Sequence, residues 1–86
     1  MTDSITNRYG TVVRVGSVWA DNDSRCEGRT LKVIAIEMGY HRKAVCEVLT
    51  AAGGKATRRR DVRIQIDRFW PTSSGYRLLE DPEGAA

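Results

Sequence analysis

Histidine occurs once in these 86 residues, at His41, and phenylalanine once; cysteine and proline occur twice each. A single histidine excludes most catalytic arrangements in which an imidazole works with a second titrating imidazole. Two cysteines, Cys26 and Cys46, are too few for a disulfide scaffold and read as free thiols of a reducing compartment. No run approaches the ~20 apolar residues that span a bilayer. The first ten residues hold no apolar stretch, so the reading expects no secretory signal and a cytoplasmic, non-membrane protein.

What is present is one domain's worth of chain. Hydrophobic residues make up 41% and charged residues 29%, the balance of an ordinary water-exposed domain. A chain this short buries roughly 60% of its unfolded surface, enough for one modest core and no deep walled cavity. That argues against an enzyme, a cofactor or a small-molecule substrate.

Turn formers punctuate the chain at short intervals. Val12 to Val15 is β-branched and meets Gly16-Ser17, then Val18-Trp19-Ala20. A polar loop runs from Asp21 to Gly28. Arg29 to Glu37 is a strand with apolar residues on both faces: Leu31, Val33 and Ala35 against Ile34 and Ile36. A turn at Met38 to His41 leads to a strand over Lys43 to Thr50, where Ala44, Cys46 and Val48 share a face. The same stretch carries helical spacing, but the following Gly53-Gly54 turn favours a hairpin. Val62, Ile64 and Ile66 then alternate with Arg63, Gln65 and Asp67, a strand with one wet face. Pro71 ends it, Thr72 to Gly75 turns, and Tyr76 to Leu79 is a last strand. Residues 1–10 read as a flexible arm and residues 80–86 as an acidic flexible tail. Five short strands over residues 11–79 predict an all-β, five-stranded barrel, because closure hides the edges a small sheet exposes.

The order Val15-x-x-Val18-Trp19, an Asp/Asn loop, Gly28-Arg29-x-Leu31-x-Val33, Ala44-Val45, a glycine turn, Ile64-x-Ile66-x-x-Phe69 and Gly75-Tyr76-x-Leu78-Leu79 resembles small SH3-like barrels of the KOW and Tudor type. More narrowly, it is similar to short uncharacterised proteins encoded by actinobacteria and their phages. The resemblance covers about Val12 to Leu79 and implies an SH3-like barrel of a kind that often binds nucleic acid or proteins.

Three motif families fail on spacing. Cys26, His41 and Cys46 lack the close ligand pairs of a zinc site. Asp21-Asn22-Asp23 begins like a calcium loop, but Arg25 and Cys26 stand where the loop needs an oxygen ligand and glycine. Gly53-Gly54-Lys55-Ala56-Thr57 resembles the end of a phosphate loop, yet the required first glycine falls on Leu49. No metal is expected.

Charge is the remaining signal, and it is local. Residues 40–63 carry a net +5, whereas residues 1–39 are neutral and residues 64–86 carry −2. Arg42, Lys43, Lys55, Arg58, Arg59, Arg60 and Arg63 would form one basic ribbon if the strands flanking the glycine turn pair. Guanidinium forks suit phosphates, which makes nucleic acid the expected partner. The alternative is a protein partner held by an aromatic patch of Tyr40, Trp70 and Tyr76, with the Asp21–Arg25 loop beside it. Phe69 and Trp70 are adjacent and cannot both point inward from an extended backbone, so one of them reaches the surface.

Overall fold

A computed structural model describes residues 3–82. Among them are eight strands and no α-helix: β1 (Ser4–Thr6), β2 (Val12–Arg14), β3 (Val18–Asp21), β4 (Thr30–Met38), β5 (Arg42–Ala51), β6 (Lys55–Ala56), β7 (Asp61–Gln65) and β8 (Tyr76–Glu80). Short 3₁₀ turns follow β3, β5 and β7. Six strands form one curled, half-barrel sheet in the order β6-β5-β4-β3-β8, with β7 alongside β6 on the same edge of β5. All the pairings are antiparallel, and β1 and β2 form a separate two-stranded hairpin. No described helix is long and apolar enough to cross a membrane.

The all-β class follows from alternation, and the side chains alternate as the sequence implies. Ala44, Cys46 and Val48 of β5 are buried, as are Ile64 of β7 and Ile66 just beyond it. β4 shows why its apolar residues occupy both faces. Val33 stands opposite Cys46 and Ala35 opposite Val45, so Ile34 is an extra residue in a bulge. A one-residue slip exchanges the faces. Leu31 and Val33 point into the core before the bulge; after it Ile36 packs against the core while Ala35 is exposed.

The core centres on three rings. Trp19 meets Phe69 edge-on at 5.0 Å between centroids, and Phe69 stacks on Tyr76 at 5.4 Å. The Trp19 indole N–H donates to Ser17 Oγ at 2.8 Å, which satisfies its one buried donor.

The N-terminal segment departs from expectation. Instead of a loose arm, Ser4–Thr6 pairs with Val12–Arg14 and Ile5 packs on the core. The cause is Asn7, which is buried at 5% exposure. Its amide donates to the carbonyls of Ile66 and Phe69 at 3.1 and 3.0 Å. Its carbonyl oxygen accepts from the backbone N–H groups of Tyr9 and Thr11. One side chain therefore shapes the hairpin turn and ties it to the chain after β7. At the other end, Glu80 completes β8, and Asp81 pairs with Arg14 at 2.6 Å. The rest of the expected tail, residues 83–86, and residues 1–2 of the expected arm lie outside the described residues.

The five expected strands become eight for identifiable reasons. Residues 12–20 split at Gly16, whose φ is +94°, so β2 and β3 belong to different sheets. The glycine turn does close a hairpin, but β6 is only two residues long before the chain leaves to form β7. Gly75 permits the final turn. An ideal Cβ there would collide with the Trp70 carbonyl oxygen, which itself accepts from the Tyr76 N–H at 3.1 Å.

Candidate functional site

β5 and β7 pair as the basic-ribbon reading requires, with Lys43 opposite Gln65, Val45 opposite Arg63 and Glu47 opposite Asp61. Residues directly opposite share a face. The outer face therefore carries acids among its bases, and β4 adds Glu37 and Lys32 beside Lys43 and Glu47. Arg63 Nε donates to Glu37 Oε1 at 2.9 Å, and Arg59 lies 3.7 Å from both Glu47 and Asp61. These pairs are exposed and contribute little to stability. They do neutralise the middle of the ribbon.

Two unpaired groups remain. Arg42 and Lys43 begin β5; Lys55, Arg58 and Arg60 lie beyond its other end. None of these five forms an ion pair among the described residues. Ten residues of strand at ~3.3 Å each set the groups roughly 30 Å apart at most. The loop carrying Arg58 and Arg60 is fastened to β5 where the Val48 N–H donates to the Arg60 carbonyl at 2.9 Å. Beside it, Arg29, Thr57 and Arg60 line an open pocket of about 300 Å³ with Cys26.

The aromatic set is rearranged. Tyr40 projects from the β4–β5 turn at 97% exposure, with His41 edge-on to its ring. Phe69 is fully buried, and Trp70 is the ring that reaches the surface, at 37% exposure. Tyr76 is a correction: it is 2% exposed, stacked under Phe69, and offers no partner a surface. The missed residue is Tyr9. It is 48% exposed and stacks on Trp70 at 4.2 Å and 14°, with the Arg8 guanidinium 5.8 Å from its ring centre. The Asn7 tie, with the Arg8 N–H donating to Asp67 at 3.2 Å, brings these distant positions together.

The Asp21–Arg25 loop is occupied with its own folding. Buried Asp21 accepts from the Asp23 N–H and pairs with Arg29 at 3.4 Å. Asp23 caps the following 3₁₀ turn, and hydrogen bonds from the Arg25 side chain and backbone hold its carboxyl down at about 2. Asn22 donates to the Thr72 carbonyl and accepts from Arg77. The loop thus fastens the β3 end to the turn before β8.

The thiols differ in access. Cys46 lies in the core, away from the exposed His41, and burial pushes its thiol up to about 12. Cys26 is half-buried. At pH 8 a group with that pKa is thiolate in only about one molecule in 10⁴, and the thiolate is the nucleophile. Iodoacetamide should therefore alkylate Cys26 and spare Cys46 until the chain unfolds; peptide mass mapping with and without urea checks this, and equal native labelling would refute it. A folded-state pKa raised from 9.0 favours the folded state below pH 9 and destabilises it as the pH climbs toward 12. Burial raises Tyr76 in the same direction. The melting temperature should fall through this alkaline window.

Comparison with protein-family models, curated proteins and solved structures finds no match to this chain.

Proposed function

We propose that the chain is a small nucleic-acid-binding module on an SH3-like barrel. Lys55, Arg58 and Arg60 grip phosphates at one end of β5, and Arg42 and Lys43 contact the backbone at the other. The observation that carries the reading is the loop after β6. Arg58 and Arg60 stand in solvent without a carboxylate partner among the described residues, while Arg59 between them and Arg63 on β7 are paired. Unpaired guanidinium groups keep their full affinity for phosphate oxygens. Tyr40, beside Arg42, supplies an exposed ring for base stacking. The curled sheet and the tied N-terminal hairpin support the barrel part of the reading. A protein-binding module is the second reading, favoured by the exposed Tyr9–Trp70 stack.

Fluorescence anisotropy of labelled single- and double-stranded DNA and RNA, at low and moderate salt, tests the first reading. Binding is expected at roughly 1–100 μM and should weaken as salt rises. Changing Lys55, Arg58 and Arg60 together to alanine should lower the duplex-DNA salt slope by about 2.7, at ~0.9 for each phosphate that is no longer neutralised. Arg63→Ala should change it less, because Glu37 already holds that guanidinium. Absence of binding at low salt, or an unaltered slope in the triple variant, would overturn the proposal.

A further inference from the structure

The start of β5 carries chemistry that phosphate contacts do not use. Pairing of Met38 with Arg42 closes the β4–β5 turn, and pairing of Lys43 with Gln65 sets the end of β7 beside it. Tyr40, His41, Arg42, Gln65 and Asp67 thereby line one open pocket of about 340 Å³. Its volume falls within the range of small-ligand sites. Asp67 is held in place: its Oδ1 accepts the Arg8 N–H at 3.2 Å, and Asn7 ties the carbonyls of neighbouring Ile66 and Phe69. Tyr40 is 97% exposed, and His41 meets its ring edge-on at 4.7 Å.

Arg42 and Asp67 line the same pocket, yet no ion pair joins them among the described residues. The exposed Gln65 amide makes no side-chain hydrogen bond among those residues. A second carboxylate of this end, Glu37 opposite Lys43, is engaged by Arg63. A free carboxylate in a basic site repels phosphate, so Asp67 marks the place of a neutral group that donates N–H bonds. A cation and a carboxylate held apart across a cavity suit a ligand with an anion at one end and such donors at the other. A nucleotide has both, and an exposed ring offers its base a stacking surface.

The carboxylate also selects the base. Unpaired bases are read on their Watson–Crick edges. Guanine alone presents two adjacent donors there, N1–H and N2–H₂. Adenine and cytosine set one donor beside a ring-nitrogen acceptor, and thymine and uracil set one between two carbonyls. A carboxylate has about four lone-pair sites, so the Arg8 N–H leaves room for both guanine donors.

We infer that this pocket holds one unpaired guanine of a single-stranded nucleic acid, an inference that rests on the nucleic-acid reading above. The base stacks on Tyr40 and donates N1–H and N2–H₂ to Asp67. The Gln65 amide donates to O6, and Arg42 takes the adjoining phosphate.

The test is fluorescence anisotropy of the full chain at low salt with short labelled oligothymidylates. The central base is guanine, hypoxanthine or adenine; hypoxanthine keeps N1–H and O6 but lacks the N2 amino group. A ribo series in oligouridylate runs beside it. Affinity should fall in the order guanine, hypoxanthine, adenine, with guanine about five-fold or more above adenine. Both series should show it, because the 2′-hydroxyl plays no part. Asp67→Asn keeps an oxygen for the Arg8 N–H and should bring the guanine-to-adenine ratio close to one without weakening the adenine strand. Tyr40→Ala, at an exposed position, should weaken all three strands. In ¹⁵N spectra the guanine strand should shift amides of residues 39–43 and 65–67. Equal binding of the three strands, or a guanine preference that survives Asp67→Asn, overturns this inference and leaves the phosphate reading standing. Free guanosine monophosphate binding as tightly as the guanine strand overturns it too, since the ligand would then be the nucleotide alone. No binding of any strand overturns both readings.

Discussion

Asn7→Leu is expected to cost about 1–3 kcal/mol and to detach the β1–β2 hairpin. The change keeps the branched shape and removes four hydrogen bonds: two donated to the Ile66 and Phe69 carbonyls, two accepted from Tyr9 and Thr11. The turn amides can recover partners in water, because Tyr9 is exposed. The Ile66 carbonyl keeps the Phe69 N–H at 3.2 Å, so the carbonyl of fully buried Phe69 is the one that loses its donor. An unsatisfied buried group costs ~1–3 kcal/mol. A chain of 86 residues has a total stability of roughly 4–13 kcal/mol, so the loss is a large fraction of it. Urea denaturation gives the magnitude, and amide exchange over Ser4–Arg14 shows whether the hairpin opens first. A loss below about 1 kcal/mol would show that the tie is ornamental. Asn7→Asp should behave worse at neutral than at acid pH, since its carboxylate would face two carbonyl oxygens.

Phe69→Ala is expected to cost about 3–5 kcal/mol, whereas Trp70→Ala should cost about 1 kcal/mol. The adjacent rings are both large and aromatic but opposite in placement. Phe69 is fully buried between Trp19 and Tyr76, and its removal opens a cavity at the centre of the core. Trp70 loses only its stack on Tyr9 and surface already partly wet. Thermal melts of the two variants check the ordering. Equal losses would mean that Trp70 closes the end of the half-barrel rather than standing on its surface.

Alternation was enough to read the sheet. Ala44, Cys46 and Val48, then Ile64 and Ile66, are spaced two apart, and burying one face of a strand leaves no other register for them. The hairpin after β5 followed from the Gly53-Gly54 pair behind it. The basic excess between residues 40 and 63 was equally plain, because charge is counted without knowing geometry.

Pairing was hidden. Arg63 and Glu37 are far apart in the chain and meet only because β4 and β7 both flank β5. The expected ribbon is thereby cut into two ends. The extra residue Ile34 was also invisible, since a bulge has no composition of its own. Local pattern determined an all-β domain, its principal strands and its basic stretch, because backbone periodicity and charge are properties of neighbours in sequence. The tertiary structure decided that Tyr76 goes inward, that Tyr9 joins Trp70, and that a polar asparagine in an unpatterned segment holds the hairpin down. Those outcomes depend on contacts between distant residues, and a single buried amide leaves no periodic trace.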